Sequence, residues 1–390
     1  MTEHYDVIVV GGGIHGVGVA QAAACNGYSV LLLESVALAS GTSSRSSKLV
    51  HGGLRYLEGY DFGLVRESLR ERDILLRIAP DLVRLQPFHI PVYPDTTRRP
   101  LLLRTGLSLY ALLDGLGRAS RFSVLPKQSW DNLDGLDTRQ LQAVFRYHDA
   151  QTNDADLTRA VMQSAIEQGA ELACPAEFSA ARITPAGCEI SYRSENSEQR
   201  CMAHVLVNAA GPWADAVDQC IEPRPTAFPV DLVQGAHLVM QAPLRAGCYY
   251  VEAPQDRRAV FLLPWGEHSL LGTTEHAYSG NPRDVRPLPE EEAYLLEVQQ
   301  HYFPDRSTTV LDRFAGLRVL PAAGGMAFGR SRETHLRVDN PRKPRTVSIY
   351  GGKLTGYRAT AGKVIDKLRR SLPPRRAHAR TDALKLVPAD

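Results

Sequence analysis

No stretch of this chain approaches the length of a membrane span, so a spanning helix is excluded. There is no Cys-x-x-Cys pair, and none of the six cysteines (25, 174, 188, 201, 220 and 248) has metal-like spacing to a histidine. The reading is therefore free thiols in a reducing compartment and no metal centre. Neither sign of charge dominates: the net charge is +2, so charge gives no reason to expect a nucleic-acid partner. No basic leader followed by an apolar core opens the sequence, which enters a strand almost at once, and this predicts no secretory signal. Internal repeats and low-complexity tracts are missing too, apart from a basic, proline-containing tail after Leu372. Together these absences predict a cytoplasmic protein, either free or resting on the inner face of a membrane.

What is present fits a soluble globular protein. At 390 residues, with 44% hydrophobic and 23% charged content, the chain is long enough for two ordinary domains. Its first 34 residues follow a nucleotide-binding pattern. A strand over Tyr5–Val10 leads into Gly11-Gly12-Gly13-Ile14-His15-Gly16 and a helix to Asn26, and a second strand over Ser29–Leu33 ends in Glu34. Gly11, Gly13 and Gly16 suit a tight turn, close approach to a pyrophosphate, and helix–strand packing. Helix-terminal amides would meet the pyrophosphate charge, and Glu34 stands where an acid accepts bonds from a ribose.

The run Thr42–Glu58 follows directly, crowding hydroxyls, a histidine, a lysine, two arginines, a tyrosine and two glycines into one short segment. A purely stabilising core would not concentrate polar groups in this way, since each buried one needs a partner. Taken with Gly11–Gly18, Glu34, Val205–Trp213, Phe314–Leu320 and Ser348–Arg358, this run resembles the FAD-dependent glycerol-3-phosphate dehydrogenases, within the wider group of D-amino-acid-oxidase-like flavoproteins. The blocks Ser47–Tyr56 and Gly351–Arg358 are far more specific than the glycine fingerprint. Many members of that family continue into a C-terminal helical region, for which this sequence has no counterpart after the helix predicted to open at Gly352.

The resemblance implies an α/β fold: a Rossmann-type, glutathione-reductase-like FAD-binding domain (1–85, 149–232 and 313–390) with a discontinuous α+β substrate domain on a mostly antiparallel sheet (86–148 and 233–312). It implies FAD contacts at Gly11, Gly13, Ile14, His15, Gly16, Glu34, Thr42, Ser43, Ser44, Ser47, Lys48, Leu49, His51, Gly52, Ala210, Gly211, Trp213, Gly352, Lys353, Leu354 and Thr355. Arg55, Tyr56, Arg332, Lys353 and Thr355 are implied to hold a phosphorylated small molecule, and His237, Arg318 and His51 to serve the chemistry. Oxidising a secondary alcohol requires a hydride acceptor, a base and a fixed C–H bond. His237 or His51 is the base candidate, while His15 reads as facing solvent or capping its loop. The implied reaction converts sn-glycerol 3-phosphate to dihydroxyacetone phosphate and passes electrons to a quinone or another acceptor, and the family resemblance is compatible with a homodimer. A different anionic hydroxy or amino compound is the alternative substrate.

Several further elements follow from periodicity. A helix is predicted from Arg66 to Ile78, and another from Asp154, read as its N-cap, to Gln168. A β-meander is predicted between Glu171 and His204, and a helix over Pro289–Tyr302. Leu101–Leu116 is apolar and helix-like between arginines 98, 99, 104 and 118. It suits either a core helix or one dipping into anionic lipid, together with the basic tail Lys367–Arg380.

Overall fold

In the computed structural model, residues 3–57, 59–195, 197–322 and 333–389 are described, with backbone alone at Arg55 and Arg118. Among these residues, the strand Glu3–Val10 lies at the centre of a sheet of nine strands. Val30–Leu33 pairs with it in parallel on one side, followed by Ala170–Ala173. Ser197–Asn208 pairs in parallel on the other side, and its last residues pair with Thr346–Tyr350. Strand order therefore reverses between Glu3–Val10 and Ser197–Asn208, and a crevice opens beyond their carboxyl ends, as in doubly wound sheets that bind nucleotides. The expected meander is present as the antiparallel run Ala176–Ile183, Cys188–Ser194 and Ser197–Ala203.

Side-chain alternation along Glu3–Val10 serves both faces of this sheet. Val7 and Val9 pack under the helices, while Ile8 and Val10 pack towards the meander. The helix Ile14–Cys25 is poor in bulky residues, which lets it lie close to both Asp154–Glu167 and Tyr357–Leu368. Gly18 is part of this fit, because a Cβ there would stand 2.7 Å from the Tyr357 ring.

Among the described residues, the second sheet has ten strands and is mostly antiparallel. Val230–Met240 pairs along its length with Val310–Pro321 on one side and with His268–Gly272 and His276–Tyr278 on the other. Ala259–Trp265, Cys248–Glu252, Val83–Val92, Ala143–Thr152 and Leu49–Val50 continue the sheet. The helix Pro289–Tyr302 covers one face with Leu295 and Val298, against Leu238, Leu262 and Leu271.

Two local expectations are corrected. The helix after Thr152 is capped by Asn153, whose side chain accepts from the amides of Ala155 and Asp156; Asp154 is the first helical residue and fully buried. The segment after Tyr350 does not open a helix at Gly352. Gly351 and Gly352 take φ of +73° and +102°, which keeps the backbone out of the helical region, and the helix begins at Tyr357. The basic tail is tied to the protein: Arg375 pairs with Asp6, the amide of His378 donates to the Cys25 carbonyl, and Leu386 is buried.

Candidate active site

A cleft of about 720 Å³ runs from the glycine turn, past the strand ends, to the second sheet. Gly11, Gly12, Gly13, Ile14 and His15 line one end together with Glu34. Gly11 takes φ of +108°, and a Cβ there would lie 2.7 Å from the Ala209 carbonyl oxygen. A Cβ at Gly16 would run into the Gly11 carbonyl oxygen. The first and third glycines thus make the turn and the close helix–strand packing, and the helix N-terminus faces the cleft. Gly16 itself does not line the cleft.

Glu34 organises the turn. Its carboxylate accepts from the Gly12 amide at 2.7 Å and from the Val36 amide at 2.8 Å, while still lining the cleft. Ser43 accepts from the Ile14 amide at 2.9 Å, which docks the Thr42–Ser44 turn onto the helix start. His15 does not face solvent. It is half-buried and lines the cleft beside Gly352, and burial pushes its imidazole down to about 4.

Two strand ends deliver the next wall, Ala210–Trp213 and Gly351–Thr355. Asp218 fastens them together: its carboxylate accepts from Asn208 and Ser348 at 2.7 Å and from Tyr350 at 2.6 Å, all buried. Sequence alone offered no pointer to Asp218.

At the far end the cleft is lined by Ser47, Leu49, His51, Tyr56, Arg318, Lys353 and Thr355. The Lys353 ammonium stands 3.5 Å from the Tyr56 ring centroid, a close cation–π contact. The His51 amide donates to Thr355 Oγ1 at 3.0 Å, joining two segments far apart in sequence. Arg318 pairs with Glu275 at 2.7 Å and donates to Thr273 Oγ1 at 3.1 Å. Glu275 also lies 3.9 Å from Arg258. Arg258 is itself paired with Asp256 at 2.6 Å, so two carboxylates stand among these two arginines. Arg258, Thr273 and Glu275, which carried no recognisable motif, line a smaller cavity of about 80 Å³ that shares Ser47, Leu49, His51 and Tyr56 with the main cleft.

Besides Gly16, four expected site residues do not line either cavity. Lys48 is buried, with its ammonium 2.6 Å from Asp154 and bonded to the Ser44 carbonyl. An unpaired charge at that depth would cost on the order of 3–5 kcal/mol, so Lys48 is held inward. Ser44 turns back to the Gly41 carbonyl. Gly52 packs against Tyr110 and Leu69. His237 is buried and stacks on Phe314, and its Nε2 lies 3.0 Å from Ser47 Oγ. Burial, with Arg318 and Lys48 nearby, pushes the His237 imidazole down to about 3. Arg332 lies outside the described residues, as does the side chain of Arg55.

A doubly wound sheet, a glycine turn at its switch point and a long cleft reaching an antiparallel sheet together define a dinucleotide-binding oxidoreductase. The sequence model of the FAD dependent oxidoreductases matches residues 6–362, and the chain belongs to that family. Glycerol-3-phosphate dehydrogenase of Pseudomonas aeruginosa is 37% identical over 375 residues, covering 94% of this chain and 72% of that protein. D-erythritol 1-phosphate dehydrogenase of Brucella abortus is 36% identical, over 95% of this chain and 75% of that protein. The crystal structure of glycerol-3-phosphate dehydrogenase from Bacillus halodurans, complexed with FAD, superposes with a TM-score of 0.78 at 27% identity, covering 98% of this chain and 68% of that one. This protein is an FAD-dependent dehydrogenase. Its glycine cradle and long cleft fit the cofactor.

Proposed function

We propose that the enzyme oxidises the secondary alcohol of sn-glycerol 3-phosphate to the ketone of dihydroxyacetone phosphate. The observation that carries this reading is the cationic end of the cleft, where Lys353 and Arg318 stand beside His51 and Thr355. FAD, when bound, supplies the acceptor for the hydride leaving the carbinol carbon. The Lys353 ammonium meets the phosphate or the developing alkoxide, and Tyr56 holds that ammonium in place. Arg318 adds charge already shared with Glu275. Between the two histidines, His51 is the better proton acceptor because it lines both cavities. A proton on His237 would be buried beside Arg318 and Lys48, so His237 stays neutral and orients Ser47. A quinone is the proposed final electron acceptor. In the anaerobic holoenzyme, glycerol 3-phosphate is expected to bleach the bound flavin; an unchanged oxidised spectrum overturns this reading.

One observation favours a second substrate. The 80 Å³ cavity continues the cleft and has room for several water-sized groups, which suits a longer polyol phosphate such as the one named for the Brucella relative. Faster bleaching by D-erythritol 1-phosphate would select it.

Among the described residues, no helix is long and apolar enough to cross a membrane. The helix Pro100–Leu113 nevertheless presents Leu101, Leu102 and Leu112 outward beside Arg99 and Arg104, with Leu116 exposed just beyond its end. We infer that this face rests on anionic lipid, next to a quinone pool. Each basic residue near such a surface contributes about 1 kcal/mol. The holoenzyme is expected to sediment with anionic but not neutral vesicles, and less so at high salt. Equal partitioning into both, or into neither, overturns the idea.

A further inference from the structure

The same helix, Pro100–Leu113, reaches the active site from its inner face. Tyr110 is fully buried, and its hydroxyl makes two hydrogen bonds. It accepts from the Gly52 amide at 2.9 Å and donates to Asp149 at 2.7 Å. Asp149 is held in turn by the buried Arg72 at 3.2 Å, and Arg72 also bonds Asp114, the residue that ends the helix carrying Tyr110. Each member is satisfied by the next, so the chain of bonds has one low-energy arrangement.

Its terminus matters because of what flanks it. Gly52 lies between His51, which lines both cavities, and Gly53, which lines the smaller one. The His51 amide is tied to Thr355, and Arg358, three residues further along the chain, is clamped by Glu71 at 2.5 and 2.8 Å. Glu71 and Arg72 are consecutive residues of the helix Phe62–Ile78, so one helix braces both segments that meet at His51.

We propose that Tyr110 is a positioning residue, whose hydroxyl fixes the Gly52 amide and thereby the placement of His51 against substrate and flavin. This rests on the reading of His51 as the proton acceptor. Misplacing a reacting group by about 1 Å can cost on the order of a hundredfold in rate.

The test is Tyr110→Phe in the holoenzyme, which keeps the ring and removes only the hydroxyl. Full FAD content is expected, with amide exchange across residues 51–53 faster by about tenfold or more. Flavin reduction by glycerol 3-phosphate should slow by about tenfold or more, while the substrate dissociation constant changes by less than about threefold. Sulfite binding to the oxidised flavin, which needs no substrate, should weaken by a similar factor. A variant with normal exchange, or with faster exchange but normal reduction and sulfite binding, overturns the proposal, because a merely structural tyrosine would act that way. If glycerol 3-phosphate fails to bleach even the unaltered enzyme, the substrate reading falls, and exchange and sulfite binding still decide the role of Tyr110. Should Tyr110→Phe not fold, Gly52→Ala attacks the same contact from the other side, since its Cβ would meet the Tyr110 hydroxyl and Leu69. The same slowing is expected there, and normal reduction overturns the proposal.

Discussion

Gly16→Ala is expected to leave the purified protein with less than about a tenth of its FAD, although alanine is the better helix former by about 1 kcal/mol. The added Cβ would run into the Gly11 carbonyl oxygen and lie 3.4 Å from the Ala209 side chain. Neither can yield cheaply. Gly11 is at the point of the turn with a positive φ, and the Ala209 amide is bonded to the end of the central strand. The helix must therefore back away from the sheet, taking with it the amides of its first turn, which are the anion-binding part of the cradle. Overpacking of this kind costs about 1–3 kcal/mol in the fold. The cofactor loses more, because several contacts depend on one geometry. Gly106→Ala is the control. It lies in the helix Pro100–Leu113 with nothing within 4 Å of the added carbon, so it should keep full flavin and melt no lower than the parent protein. Flavin released on denaturation, measured per chain, checks both; full flavin in Gly16→Ala would show that the cradle does not depend on this contact.

The second large effect separates two cations that look equivalent in the sequence. Lys353→Met should keep its FAD and melt close to the parent, while flavin reduction by glycerol 3-phosphate falls by about tenfold to a hundredfold. A charge-assisted bond contributes about 1.5–3 kcal/mol, and each 1.4 kcal/mol is a factor of ten. Lys353 packs its ammonium on the face of Tyr56, a contact methionine partly keeps. Arg318→Met should slow the same step and also lower the melting temperature. It takes a bonded guanidinium away from Glu275, whose side chain is only 6% exposed and which lies 3.9 Å from Arg258. Breaking a buried pair from one side leaves a charge poorly compensated. Stopped-flow reduction and thermal melts of both variants distinguish the two roles. Normal reduction in Lys353→Met would place the anionic end of the substrate elsewhere.

The sequence by itself determined whatever is written locally. The glycine turn, the strand before it and the helix after it follow from spacing within about two dozen residues, and the structure has them as Glu3–Val10 and Ile14–Cys25. Pro289–Tyr302 was legible for the same reason, with proline at its first position and a run of glutamates in its first turn. The family and its cofactor were legible because the blocks Ser47–Tyr56 and Gly351–Arg358 are too specific to arise from fold alone.

Only the tertiary structure decided which polar groups of those blocks face the cleft and which are consumed in holding it. Lys48 and Ser47 are neighbours in one motif, yet Lys48 turns inward to Asp154, 106 residues away, while Ser47 lines both cavities and bonds His237, 190 residues away. The charge of Arg318 is shared with Glu275, and the placement of His51 passes through Thr355, Gly52 and Tyr110. Periodicity has no term for such pairings. Whether a buried charge or hydroxyl is spent on the fold or left for a ligand depends on the partner that folding brings to it, and that partner comes from another strand or helix of the chain.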